Sequence, residues 1–148
     1  MSGAPRRYVG AAFTPFEARK LVLGRGTYVD DITLPRMLHA AFVRSPHAHA
    51  RLRRVDVDAA LRAPGVVAVL TGHELAAVTA PLRMAPPIPG LIPMEMTTLP
   101  LEKVRFVGDL VACVIAEDRY LAEDACDLVA VDYEPLPAVV DPETASDP

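Results

Sequence analysis

The stretch LVACVIAEDRYLAEDACDLVAVDYEPLPAVV, residues 110–140, decides the fold because it predicts a strand, a helix and a second strand in turn. Residues 110–117 are apolar on both faces, which is typical of a buried strand. Asp118 is well placed to cap a helix over 119–129. Residues 130–140 alternate as a strand until two prolines confine it to a sheet edge or an exit.

The same order of elements is predicted earlier in the chain. Residues 47–57 alternate well enough for a strand, and an aspartate can cap a short helix over 58–63. VVAVLT, residues 66–71, has β-branched side chains on both faces and predicts a buried strand, and an apolar run over 37–45 predicts another. Together these patterns predict an α/β (α+β) domain with two strand–helix–strand units on a mixed sheet.

Composition excludes several function classes. The chain has 148 residues, a net charge of −4 and two cysteines, so a basic nucleic-acid surface and a disulfide framework are both disfavoured. It has no run of about 18 uncharged apolar residues that would span a membrane. Arg6 and Arg7 are not followed by the uninterrupted apolar core of an export signal, so we expect a cytoplasmic protein, or one carried elsewhere by a partner.

Domain boundaries follow from these patterns. We expect an extended leader over 1–16, one domain over 17–141 and a C-terminal tail or linker over 142–148. Inside the domain, the loop 76–100 joins the two units and holds six of the 15 prolines and three of the five methionines. A linker bound for solvent would be polar, so this apolar loop is expected to lie on a partner surface. The alternatives are a loop folded over its own core and a mobile one.

Candidate chemical groups are few. His47 and His49 would share one face of a strand and could hold zinc if a third ligand joined them, although solvated or backbone-bonded histidines are favoured. The glycines of Gly24-Arg-Gly26 lack the third glycine of a dinucleotide fingerprint and predict a tight turn with positive φ. Cys113 and Cys126 are expected to be buried and inert. The sequence therefore assigns no catalytic, cofactor-binding or metal-ligating residue to this chain.

Two long segments carry a family resemblance. LVLGRGTYVDDITLPRMLHAAFVRSPHAHARLRRVDVDAALRAPGVVAVLTGHEL resembles the opening of the molybdenum-binding large subunit of the xanthine dehydrogenase, aldehyde oxidase and carbon monoxide dehydrogenase family. EKVRFVGDLVACVIAEDRYLAEDACDLVAVDYEPLPAVVD is similar to the continuation of the same N-terminal domain, the α/β hammerhead. The resemblance runs from about Arg19 to Asp141 and is weakest in the loop 76–100.

The resemblance implies a role within an oxidoreductase. Such enzymes hydroxylate heterocycles or aldehydes, or oxidise carbon monoxide, with a molybdopterin cofactor, iron–sulfur clusters and often FAD. Their catalytic and cofactor-binding residues lie in domains beyond the hammerhead, so none is carried over here. The implied partners are the molybdenum-binding catalytic domains, an iron–sulfur subunit and an FAD subunit. By the same analogy Leu91, Ile92, Met94 and Met96 are candidate substrate-channel or interface residues.

Two other functions remain open at this level. One is a free-standing module with the same fold that binds a small ligand or a protein and has no redox role. In that case the loop 76–100 would hold its ligand within the single chain. The other is a small zinc enzyme using His47, His49 and a third ligand.

Overall fold

The structure is a computed structural model that describes residues 12–84, 88–90, 93–143 and 145. The chain forms two compact units that divide between Pro35 and Arg36. This division lies inside the domain expected over 17–141, and the expected boundaries at 16 and 141 stay predictions. The elements are α1 (Ala18–Val22), a 3₁₀ helix (Val29–Asp31), β1 (His39–Arg44), β2 (Ala50–Asp56), α2 (Asp58–Leu61), β3 (Val66–Thr71), α3 (Gly72–Ala76), β4 (Leu82–Met84), β5 (Met94–Met96), β6 (Lys103–Val104), β7 (Leu110–Ala116), α4 (Arg119–Cys126) and β8 (Ala130–Pro135).

The first unit is described from residue 12 and holds α1 and the 3₁₀ helix, neither of which has a buried residue. Gly24 has a φ of +66°, which confirms the predicted tight turn, whereas Gly26 has an ordinary φ. The backbone N–H of Tyr28 donates to the Asp31 carboxylate at 2.9 Å.

The second unit contains two three-stranded sheets and a two-stranded hairpin, all antiparallel. The first sheet has the order β1-β7-β3 and the second has the order β6-β2-β8. One cluster of buried side chains joins the first sheet to the helices through Val69 of β3, Val114 of β7, Ala60 of α2 and Ala125 of α4. Val55 and Val131 of the second sheet pack against the same cluster, so the core lies between the sheets and helices.

The α/β class is confirmed, but the expected mixed sheet is wrong, because every described strand pairing is antiparallel. Each strand–helix–strand unit carries the chain from one sheet to the other: β2–α2–β3 runs from the second sheet to the first, and β7–α4–β8 returns. The four-residue α2 is too short for a crossover that would return the chain parallel in one sheet. β7 already pairs with β1 and β3, so neither of its edges is open to β8.

Helix α4 begins as predicted and ends earlier. The Asp118 side chain accepts a hydrogen bond from the backbone N–H of Tyr120 at 2.8 Å, which confirms the cap. The helix ends at Cys126 because the next N–H groups bond to carbonyls three residues back, as in Val129 to Cys126 at 3.2 Å. Such bonds tighten the last turn into 3₁₀ geometry.

Helix α3 was not predicted from the sequence. It begins with a capping box in which the Glu74 carboxylate accepts from the backbone N–H of Thr71 at 2.8 Å. The Thr71 hydroxyl oxygen accepts from the N–H of His73 at 3.3 Å. The spacing T-x-x-E was the signal that could have revealed this helix.

No helix in the described part of the chain is long and apolar enough to cross a membrane.

Candidate functional site

The segment 76–100 contains a β-hairpin where the sequence predicted a loop. Strand β4 pairs with β5 so that Leu82 lies opposite Met96, Arg83 opposite Glu95 and Met84 opposite Met94. Both strands alternate apolar, charged and apolar residues, which is the period of a strand with one apolar face. That short alternation is the sequence signal that could have revealed the hairpin.

The hairpin has two chemically different faces. Because successive side chains of a strand alternate, Leu82, Met84, Met94 and Met96 share one face, named here the apolar hairpin face. These four side chains are between 49% and 63% exposed. Arg83 and Glu95 occupy the opposite face and form an ion pair, with Arg83 Nε 3.7 Å from Glu95 Oε1. The candidate residues Met94 and Met96 are therefore on one exposed surface.

Two candidate residues, Leu91 and Ile92, lie outside the described residues, so their proposed role stays a prediction. Ile88, which lies between the two strands in sequence, is 59% exposed. Scattered apolar side chains are normal on a protein surface. Four half-exposed apolar side chains on one side of a narrow ribbon are a continuous patch, which is the kind of surface that a partner covers.

The end of the segment is held tightly against α3. Leu99 is 2% exposed, and a Cβ added to Gly72 would lie 2.3 Å from the carbonyl oxygen of Pro100. A glycine is therefore needed for the two backbones to come this close. Beside this contact lies a cleft of about 140 Å³, with Leu75, Pro81 and Thr97 among its lining residues. The base of the hairpin is anchored while its apolar face remains open to solvent.

The histidine pair does not form the strand face that the sequence predicted. Strand β2 begins at Ala50, because the Ser45 hydroxyl accepts from the N–H of His47 at 3.0 Å and holds a turn before the strand. The His47 ring packs against Tyr133 with centroids 4.9 Å apart, and His49 Nδ1 lies 2.7 Å from the Pro137 carbonyl oxygen. Among residues 12–84, 88–90, 93–143 and 145, no group of three His, Cys, Asp or Glu is placed to hold a metal ion.

The two cysteines are core residues, as expected. Cys113 is buried in β7 and Cys126 is half-buried at the end of α4, and both are free thiols. Burial raises the pKa of both thiols, and the nearby Asp127 carboxylate raises that of Cys126 further. A raised pKa keeps a thiol protonated and unreactive at neutral pH.

Comparison with known proteins identifies the domain, both by its sequence and by its structure. The family model described as "Aldehyde oxidase and xanthine dehydrogenase, a/b hammerhead domain" matches residues 23–137. The carbon monoxide dehydrogenase large chain of Afipia carboxidovorans is 49% identical over 125 residues, which are 84% of this chain and 15% of that relative. The nicotine 6-hydroxylase large subunit of Paenarthrobacter nicotinovorans is 41% identical over 137 residues, 93% of this chain and 17% of the relative.

Solved structures agree. Quinoline 2-oxidoreductase from Pseudomonas putida 86 matches with a TM-score of 0.89 and 38% identity over 96% of this chain and 18% of that one. Carbon monoxide dehydrogenase from Oligotropha carboxidovorans matches with a TM-score of 0.82 and 41% identity, covering 94% of this chain and 17% of that one. This chain thus spans less than a fifth of the length of each of these relatives.

Proposed function

Because the chain belongs to the aldehyde oxidase and xanthine dehydrogenase family as its α/β hammerhead domain, we propose that it is a non-catalytic part of a molybdopterin-dependent hydroxylase or dehydrogenase. In this proposal it helps to enclose the molybdenum cofactor and the substrate channel and docks on the iron–sulfur component. The partners are the molybdenum-binding catalytic domains, an iron–sulfur subunit and an FAD subunit. The assembly is cytoplasmic.

The observation that carries this proposal is the exposed apolar hairpin face. Fully burying a Leu or Met side chain contributes about 1.5–3 kcal/mol of favourable free energy. The four side chains of this face are about half exposed, so covering their exposed part contributes about 1 kcal/mol per residue to the free energy of binding. This gain of about 4 kcal/mol is at the low end of the entropy lost on association, so a partner must cover more surface than the hairpin alone. The hairpin therefore acts as one anchor within a larger interface. Met94 and Met96, with Leu91 and Ile92, are its proposed interface or channel residues.

The molybdenum cofactor is assigned to the partner domains. His47 packs against Tyr133, His49 lies against the Pro137 carbonyl, Cys113 is buried and Cys126 is half-buried. Among the described residues no group of three His, Cys, Asp or Glu is placed to hold a metal ion, which supports placing the cofactor in the partner domains. The contribution of this chain is the surface it presents.

The free-standing module is less well supported. In that alternative the segment 76–100 would enclose a small ligand within one chain. The cleft beside the hairpin is lined from α3 and the base of the hairpin, and the four residues of the apolar hairpin face are not among its lining residues. Of these four residues, Met96 lines a second, smaller cleft of about 90 Å³, and all four stay about half exposed, which favours a protein partner.

A charge placed on the apolar hairpin face tests the proposal. The full chain is co-produced with the molybdenum-binding domains and the iron–sulfur subunit of its enzyme, and assembly is measured by pull-down and titration. Met94→Asp and Met96→Asp are each expected to weaken assembly about 30-fold, since burying an unpaired carboxylate costs at least about 2 kcal/mol. Both variants should keep the wild-type circular dichroism spectrum, because the side chains are exposed.

The matched control is Val78→Asp, which places the same charge on a side chain that is 78% exposed and outside the hairpin. It is expected to leave both assembly and fold unchanged. Wild-type assembly by Met94→Asp and Met96→Asp would refute the docking role of this face.

A further inference from the structure

Three of the four side chains on the apolar hairpin face carry a thioether sulfur. Met94 and Met96 are two residues apart in β5, so they lie on the same side of the strand, and Met84 of β4 is directly opposite Met94. Side chains directly opposite each other on antiparallel strands have Cβ atoms about 4.5–5.5 Å apart. Methionine has three rotatable bonds beyond its backbone. The register therefore allows three sulfur atoms to approach one point above the ribbon.

The chemistry of these sulfurs selects a particular class of ligand. Thioethers are soft, uncharged ligands that favour Cu(I), whereas carboxylate and carbonyl oxygens suit Mg²⁺ or Ca²⁺. The carboxylate of Glu95 is turned to the other face of the hairpin, where it pairs with Arg83. The sulfur-bearing face thus offers no hard oxygen ligand from its own strands.

Access to the sulfurs needs no opening of the fold. In the chain without its partners, Met84 is 49%, Met94 58% and Met96 50% exposed, so an ion from solvent can reach each side chain before assembly. The strand pairing of β4 and β5 already brings the three residues together, and only side-chain torsions have to adjust.

We propose that Met84, Met94 and Met96 form a binding site for a soft monovalent cation, Cu(I), through their three thioether sulfurs. The site lies on the same face as the proposed docking role and goes beyond it, because it assigns a ligand to the thioether sulfurs of the chain before its partners cover them. Ligation depends on sulfur, whereas docking depends on apolar surface, so the two roles respond differently to the same substitutions.

The test uses Ag(I), a redox-stable probe with the same preference for thioethers, titrated into the full chain in halide-free buffer. Binding is followed by calorimetry and by the methyl resonances of methionine labelled with ¹³C at the ε-carbon. The resonances of Met84, Met94 and Met96 are expected to shift together, while that of Met37, which lies before β1, stays in place. Cu(I) kept reduced and competed against a chromophoric chelator serves as the second probe.

Leucine variants separate ligation from packing. Met84→Leu, Met94→Leu and Met96→Leu each keep an apolar side chain of similar volume and should weaken Ag(I) binding about tenfold or more, and the triple variant should lose that binding. Met37→Leu is the matched control and should bind as the wild type does. Cys113 and Cys126 are present in every variant, so the difference between variants reports the thioethers alone.

The triple leucine variant also distinguishes the two proposals. Because its hairpin face stays apolar, it is expected to assemble with the partner subunits while failing to bind Ag(I). Ag(I) binding retained at wild-type strength by the triple variant, or methionine resonances that do not shift, would overturn the cation site. The docking proposal is judged separately, from the aspartate variants, in which no cation takes part.

Discussion

Replacing Gly72 by alanine should destabilise the domain, although alanine is the better helix former. Gly72 is the first residue of α3 and has an ordinary φ, so helix propensity alone would favour alanine by up to about 1 kcal/mol. The added Cβ would lie 2.3 Å from the Pro100 carbonyl oxygen and 2.9 Å from its carbonyl carbon. Both are backbone atoms, so no rotamer change relieves the overlap. Overpacking costs about 1–3 kcal/mol, and a clash with fixed backbone lies at the upper end of that range, so a net loss of about 2 kcal/mol remains after the gain in helix propensity.

Urea unfolding followed by circular dichroism measures this loss. With a typical slope of about 1–3 kcal/mol per molar urea, the midpoint of Gly72→Ala should fall by roughly 0.7–2 M without a change of slope. Gly26→Ala is the matched control, because its added Cβ would meet only side-chain atoms of Tyr28 and Leu21, which can move aside. Its stability should stay within about 0.5 kcal/mol of the wild type. A Gly72→Ala chain as stable as the wild type, or more stable, would refute the reasoning.

Two further predictions concern stability. Val114 is fully buried in the central strand β7. Val114→Asp should therefore abolish the cooperative thermal unfolding transition, because it buries an unpaired charge. A preserved transition would contradict the assigned core. Hydrogen bonds from the Thr71 side chain and from the backbone N–H groups hold the pKa of Glu74 below its ordinary value of 4.5. This carboxylate therefore stabilises the fold above about pH 4.5, and the contribution is lost as the pH falls through the lowered folded-state pKa. The difference in free energy of unfolding between wild type and Glu74→Gln should shrink from about pH 7 to about pH 3, and a difference independent of pH would count against the capping box.

Much of the candidate site could not be predicted from short sequence patterns, because it depends on the pairing of strands. The apolar character of 76–100 was visible in the sequence, and it led to the prediction that this segment lies on a partner surface; the family resemblance then added Leu91, Ile92, Met94 and Met96 as candidates. The pairing of β4 with β5 was not visible, because three-residue strands carry too little alternation to stand out among prolines. Without the register, the sequence could not show that Met84 joins Met94 and Met96 on one face.

The histidines illustrate the same limit. His47 and His49 have the spacing of a shared strand face, but the strand begins only at Ala50. A turn held by the Ser45 hydroxyl and contacts with Tyr133 and Pro137, nearly 90 residues away along the chain, decide where their rings lie. The spacing allowed a shared zinc site, but solvated or backbone-bonded rings were favoured, and the contact of His49 with the Pro137 carbonyl agrees with the favoured interpretation.

The sequence by itself determined the buried strand β7, the start of α4 at its Asp118 cap and the family, because periodicity, capping and motif order are properties of residues close together in the chain. It overestimated the burial of β3, an edge strand in which Val67 is 54% exposed. Only the tertiary structure decided that the two units cross between two antiparallel sheets and that Gly72 must meet Pro100. It also decided that Met84, Met94 and Met96 share one face of the hairpin. The physical reason is that strand pairing and close backbone contacts depend on which segments, distant in sequence, pair with each edge of a sheet. No local sequence pattern specifies which segments these are.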